Sequence, residues 1–314
     1  MSGPDGDSAA GEATPSIPAP EWFRRALLAP VTVSTVEVDG CPIAYRHWGD
    51  PGNPAVVLVH GGGAHSRWWD HIAPLLTDGR SIYALDLSGH GDSGRRPDYS
   101  FSQWAREILT IAALSMSEGP AVVVAHSMGG WAAIEAAALA GDDLKGIVVV
   151  DTPIRDRSPE EEEASRQGAF GPLRLYPTVE EAMARFHPVP NQPNLLAYVV
   201  DHVARTSMRQ VPGGWTWKFD RNFILRQGRP DGGALGRIGG RFALLRAEFG
   251  LVTPEMDVFL RRRLPEDAVV VEIPQAYHHV MLDQPLSLVT AVRALLAGWH
   301  HGGWMPLNEP GTAG

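Results

Sequence analysis

Between Ala121 and Ala140 the chain passes from an unbroken apolar run, Ala-Val-Val-Val-Ala, through His126 and Ser127 into an alanine-rich helical stretch that starts near Trp131. That pattern predicts a buried strand, a very tight turn and a helix in immediate succession. A serine at such a turn is held above a sheet edge with its hydroxyl exposed, and small residues two before and two after it, Ala125 and Gly129, let strand and helix approach closely. The helix N-terminus aims unpaired amides at the same place and favours developing negative charge. Ser127 therefore sits where a nucleophile would. On its own the pattern also fits an ordinary strand, turn and helix with an incidental serine, so its meaning depends on its companions.

Strand and helix signals alternate around this point. Val31–Val38 and Pro42–Trp48 read as a hairpin across Asp39-Gly40. Short apolar runs at Ala55–His60, Ser81–Asp86, Leu144–Asp151, Arg241–Arg246 and Ala268–Ile273 read as buried strands. Helices are expected over Arg67–Leu76, Phe101–Met116 (capped near Ser100 or Ser102), Pro254–Arg263 and Pro285–Trp299. Continuous Val/Ile/Leu strands separated by helices imply an α/β fold with a mostly parallel sheet covered on both faces. Residues 152–235 break the rhythm with Pro, Gly, Arg and the acidic run Glu160–Glu163. They read as a mostly helical cap inserted into a core of residues 23–151 and 236–301. Residues 1–22 and 302–314 read as disordered tails.

Composition narrows the function classes. With 314 residues, an apolar fraction of 44% and a formal charge of −9, the chain fits a globular protein and argues against a nucleic-acid partner. No apolar run reaches ~18 residues, so no membrane span is expected. The N-terminal stretch lacks the basic start and apolar core of a signal peptide. A single cysteine, Cys41, excludes an internal disulfide, and a cytoplasmic monomer or homodimer acting on a small molecule is expected. Twelve histidines show no His-x-x-x-His or His-Glu-x-x-His spacing, so neither a metal nor an organic cofactor is expected.

Three segments accompany the serine. His60-Gly61-Gly62-Gly63 follows a strand directly, where backbone amides can turn toward an oxygen at the sheet edge. The amides of Gly62 and Met128 would then form an oxyanion hole. A phosphate-binding loop is the weaker alternative, because neither Gly-x-Gly-x-x-Gly nor Gly-Lys-Ser/Thr is present. The polar loop Asp86–Gly94 reads as structural. Finally, Tyr277-His278-His279 follows the last strand, where an imidazole can reach a serine on a central strand and shuttle its proton.

His-Gly-Gly-Gly, Asp-Leu-Ser-Gly-His-Gly-Asp-Ser, His-Ser-Met-Gly-Gly and a late histidine, in that order, resemble the α/β-hydrolase fold family over about Val31 to Trp299. The resemblance places Ser127 on the nucleophile and Gly62 and Met128 on the oxyanion amides. His278 falls on the general base, five residues before the acidic Asp283, with His279 as the fallback. It also implies a carboxylate after the strand that follows the cap, but there Gly250 stands in Arg246-Ala247-Glu248-Phe249-Gly250. Asp151, at the end of an earlier strand, is the favoured substitute and Glu248 the alternative.

The expected chemistry is attack of Ser127 on an ester carbonyl, with an acyl-enzyme then hydrolysed by water. The same machinery also supports carbon–carbon bond hydrolysis of a diketone-like compound, and a chain that kept only the pocket would be a non-catalytic receptor. Trp68, Trp69, Trp215, Trp217 and Phe219 are candidates for an apolar pocket, although aromatic residues serve equally well as core. An acidic substrate would need a cationic anchor, for which Arg67 and Arg155 are the candidates.

Overall fold

The computed structural model describes residues 18–115, 119–154, 160, 173–225, 233–264 and 266–300. The expected tails at 1–17 and 302–314, together with Arg155 and the acidic residues 161–163, lie outside these. In chain order the elements are α1 (Glu21–Leu27), β1 (Thr32–Val38), β2 (Cys41–Trp48), β3 (Ala55–Val59), β4 (Ser81–Leu85), α2 (Phe101–Ala112), β5 (Ala121–His126), α3 (Met128–Ala140) and β6 (Leu144–Val150). After these come α4 (Val179–Met183), α5 (Ala197–Thr206), β7 (Met208–Val211), β8 (Gly214–Trp217) and α6 (Asn222–Leu225). The chain closes with β9 (Arg241–Phe249), α7 (Pro254–Arg261), β10 (Val269–Tyr277), α8 (Val280–Asp283) and α9 (Pro285–His300).

Eight strands form one sheet in the order β1-β2-β4-β3-β5-β6-β9-β10. The β1–β2 and β2–β4 pairings are antiparallel, and every pairing from β4 to β10 is parallel. The central strands carry apolar residues on both faces because each face is covered. Val57 and Val59 of β3 join one core with α2 and α3, while Val56 and Leu58 join the other with α9. Each such side chain contributes roughly 1.5–3 kcal/mol through burial, so a charge at Val57 would break the sheet at its centre. α3 is lined by the buried Ala132, Ala133, Ala136 and Ala137, and these small side chains let it lie close to the strands on either side of the serine turn.

Four local expectations change. α1 begins at Glu21, inside the stretch expected to be disordered, because Phe23 is buried against Tyr198 and Trp22 lies against His71. Arg67–Leu76 is two 3-10 turns, Ser66–Trp69 and Ala73–Leu76, rather than one helix. Pro74 has no amide for a continuous helix and disfavours α geometry in the residue before it. The stretch between β6 and β9 holds a β-hairpin, β7–β8, as well as helices, with the positive-φ Gly213 and Gly214 at its turn. β9 and β10 each run past their expected ends, to Phe249 and Tyr277, and pair there. The Asp86–Gly94 loop is structural as expected, since the buried Asp86 carboxylate accepts the Ser66 and Asp92 amides at 2.6 and 2.8 Å.

Candidate active site

Ser127 occupies the junction between β5 and α3 with φ 54° and ψ −122°, a backbone conformation costly for a residue with a side chain. The surroundings enforce it: the Ser127 amide donates to the Val150 carbonyl at 3.0 Å, and its carbonyl accepts from the Gly130 amide and the Thr152 hydroxyl. Gly129 is required because a β-carbon there would run into the His60 carbonyl. α3 starts at Met128, whose amide has no acceptor within the helix. The glycine loop after β3 closes in from the other side, and a β-carbon on Gly61 would meet that of Ser127 at 3.1 Å. Among the described residues neither the Gly62 amide nor the Met128 amide has a hydrogen-bond acceptor.

Asp151 follows the last residue of β6, also at positive φ (43°), and is wholly buried. Its carboxylate accepts from the amides of Leu251 (2.7 Å), Ala247 (3.3 Å) and Val252 (3.4 Å). Burial pushes this carboxyl up, but the His278 hydrogen bond and charge, with the Leu251 and Ala247 amides, outweigh it and hold the group below its ordinary value. His278, just past β10, bridges the other two: Nδ1 is 2.7 Å from Asp151 Oδ2 and Nε2 is 2.9 Å from Ser127 Oγ. With Asp151 accepting the Nδ1 proton, Nε2 is left to accept the Ser127 hydroxyl. Glu248, the alternative acid, is partly exposed and accepts from the Gln275 amide at 2.7 Å; it is committed to β10 and makes no bond to His278.

The fallback His279 is drawn into a different role. Its ring centroid lies 4.7 Å from that of His278 and 5.5 Å from that of His126, whose Nε2 is 2.9 Å from the His278 carbonyl. One nitrogen from each of His126, His278 and His279 lies within 4.8 Å of the others, a grouping able to hold a metal ion. Helical spacing rules miss it, because two members are adjacent in the chain and the third lies on another strand. Burial, reinforced by the His278 charge, drives His126 down to about 3.

Sequence reasoning also missed Gln192. This buried side chain donates to Asp283 Oδ2 at 3.0 Å and accepts the His279 amide at 2.8 Å, while Asp283 Oδ2 takes the Tyr277 amide at 2.7 Å. The histidine loop is thereby clamped from the segment between β6 and β9. No local motif marks such a residue, since its partners lie 87 and 91 positions away.

A cleft of about 580 Å³ opens beside this group, with Gly62, Trp68, Phe186, Trp217, Phe219 and His279 among its walls. Trp68, Trp217 and Phe219 were expected there and Phe186 was not. Trp215 does not line it: one pleat nearer the hairpin turn, its backbone bridges to Tyr176. Trp69 is fully buried core, and Arg67 is paired with Asp70 at 3.0 Å instead of standing free as an anchor. Among the described residues, the cations at the cleft are Arg174 and Arg185.

Comparison with known proteins agrees with this architecture. Esterase Rv0045c of Mycobacterium tuberculosis is 30% identical over 81% of this chain and 86% of its own. The sn-1-specific diacylglycerol lipase ABHD11 of Mus musculus is 25% identical over 87% of this chain and 94% of its own. Among solved structures, E-2-(acetamidomethylene)succinate hydrolase superposes with a TM-score of 0.74 at 22% identity, covering 85% of this chain and 100% of that one. The family model described as the alpha/beta hydrolase family matches residues 56–292, which takes in the serine turn, the Asp151 corner and the histidine loop. The chain belongs to the alpha/beta hydrolase family.

Proposed function

We propose that this protein is a serine hydrolase that cleaves a small, apolar or aromatic carboxylic ester through an acyl-enzyme. The reading rests on one observation above all: Asp151, His278 and Ser127, from three separate corners of the sheet, are joined by hydrogen bonds of 2.7 and 2.9 Å. His278 takes the Ser127 proton as Oγ attacks the carbonyl carbon. Asp151 holds the imidazole tautomer and offsets its positive charge. The oxygen that becomes negative meets the amides of Gly62 and Met128, which have no other acceptor among the described residues. His278 then returns its proton to the departing alcohol, and water repeats the sequence on the acyl group. Ester hydrolysis is the activity named for the 30% identical mycobacterial relative. The aromatic walls of the cleft favour an uncharged acyl or alcohol group, and the segment between β6 and β9 acts as a cap over it.

A fluorophosphonate probe tests the reading. Wild-type protein is expected to label and to hydrolyse an activated short-chain ester, and Ser127→Ala to do neither. Folded wild-type protein that resists the probe, or a Ser127→Ala protein that still labels, would overturn it.

A further inference from the structure

Three imidazoles meet beside Ser127, and acyl transfer uses only one of them. Each of the other two has nitrogen to spare. Among the described residues, His126 Nδ1 and both ring nitrogens of His279 are buried without a hydrogen-bond partner, a condition that is ordinarily destabilising. The Val189 and Pro190 carbonyls lie near His279, but neither makes an aligned hydrogen bond to it.

One nitrogen of each ring lies within 4.8 Å of one nitrogen of each of the other two. His126 Nε2 is taken by the His278 carbonyl, which leaves Nδ1. A β-carbon on Gly61 would stand 2.9 Å from that Nδ1 and 3.1 Å from Ser127 Cβ, so Nδ1 borders the serine. His278 Nδ1 is held by Asp151, which leaves Nε2, 2.9 Å from Ser127 Oγ.

We propose that His126, His278 and His279 form a binding site for a borderline divalent cation such as Zn²⁺ or Cu²⁺, whose occupation silences Ser127. Imidazole nitrogen suits these ions, and three histidines with one open position are a recurring zinc set. The Asp151–His278 bond supplies the outer carboxylate that orients a ligating histidine. His279 lines the cleft, so an ion has a route in. A cation on His278 Nε2 takes the lone pair that would accept the Ser127 proton, and turnover stops without any bond being made or broken in the protein. Mg²⁺ and Ca²⁺ require oxygen ligands that the group does not offer. The inhibitory half of this proposal rests on the acyl-transfer reading; the binding half does not.

Binding is therefore measured by titration calorimetry on the Ser127→Ala protein with zinc chloride. One ion per chain is expected, and affinity should fall at least about tenfold in His279→Gln and in His126→Asn and by ~10–100-fold in Asp151→Asn. Wild-type ester hydrolysis should be inhibited by Zn²⁺ or Cu²⁺, restored by chelator and indifferent to Mg²⁺ and Ca²⁺. Zinc affinity unchanged in both folded histidine variants, or no zinc binding by Ser127→Ala, would overturn the site. If zinc binds in a His279-dependent manner to a protein without esterase activity, the site stands and the acyl-transfer reading fails.

Discussion

Gly250 lies against the carboxylate of Asp151: a β-carbon on Gly250 would collide with both of its oxygens. The carboxylate bonded to His278 therefore arrives from the end of β6, and the position after β9, where the family resemblance implied a carboxylate, carries no side chain and leaves room for it. A carboxylate carried on residue 250 would enter the same space.

A swap tests this directly. Asp151→Asn should lose up to ~10⁴-fold in turnover on an activated ester. Pairing Asp151→Gly with Gly250→Asp should recover at least about tenfold relative to Asp151→Gly alone, because the new carboxylate reaches His278 from the vacated side. Gly250→Asp by itself should overpack and destabilise the fold by about 1–3 kcal/mol. Near-normal turnover in Asp151→Asn would remove the acid from the mechanism.

Gln192 clamps His279, the residue after His278, the general base of the proposed mechanism. Gln192→Ala should lower kcat roughly tenfold with little change in KM, since it loosens an imidazole that matters mainly in the transition state. Stopped assays over acyl chains of two lengths would check the split. An equal rise in KM for both esters at unchanged kcat would assign Gln192 to binding instead.

The cleft walls should set acyl selectivity. Trp217→Ala and Phe186→Ala are expected to reduce kcat/KM for aromatic or medium-chain esters about tenfold relative to acetate esters, the scale set by losing one apolar contact. Trp215→Ala should leave that ratio unchanged. Competing substrates in one assay measure the ratio without dependence on enzyme concentration.

Stability should fall on acidification. Burial depresses His60 and His71 to about 4 and His126 to about 3 from 6.5. Below pH 6.5 the unfolded chain binds these protons and the native chain does not, so each contributes a loss of ~1.4 kcal/mol per pH unit until its native value is reached. Asp283, raised by burial to about 7, acts in the opposite sense, because the native state holds its proton where the unfolded one does not. Burial also lowers His47, His65, His90 and His279 and raises Asp86 and Glu107, so seven histidines against three carboxyls leave a net decline from pH 6.5 toward pH 4. Calorimetric melting across that range is the check, and a midpoint that stays level would refute it.

Much of the architecture was legible without coordinates because it depends on local periodicity. Runs such as Ala121–Ala125 and Ala55–Val59 are apolar at every position only when both sheet faces are covered, which already implies a parallel sheet with helices on either side. Ser127 was legible for a related reason: a strand, one polar residue and a helix leave a single place for the hydroxyl. The hairpin β7–β8 was not distinguished within the mostly helical segment, and Arg67–Leu76 was expected as one helix, because two or three residues of turn chemistry outweigh a weak periodic signal.

Tertiary structure alone decided what depends on side chains arriving from distant corners. Which carboxylate bonds Nδ1 of His278, Asp151 and not Glu248, follows from what β6 and β9 bring to that ring, and nothing local to either acid encodes that. The Gln192 clamp and the triangle of His126, His278 and His279 are products of packing in the same sense. The amino-acid order specified the elements and the exposed position of the Ser127 hydroxyl, while the partners of that hydroxyl were selected by loop ends that meet only after the sheet has closed.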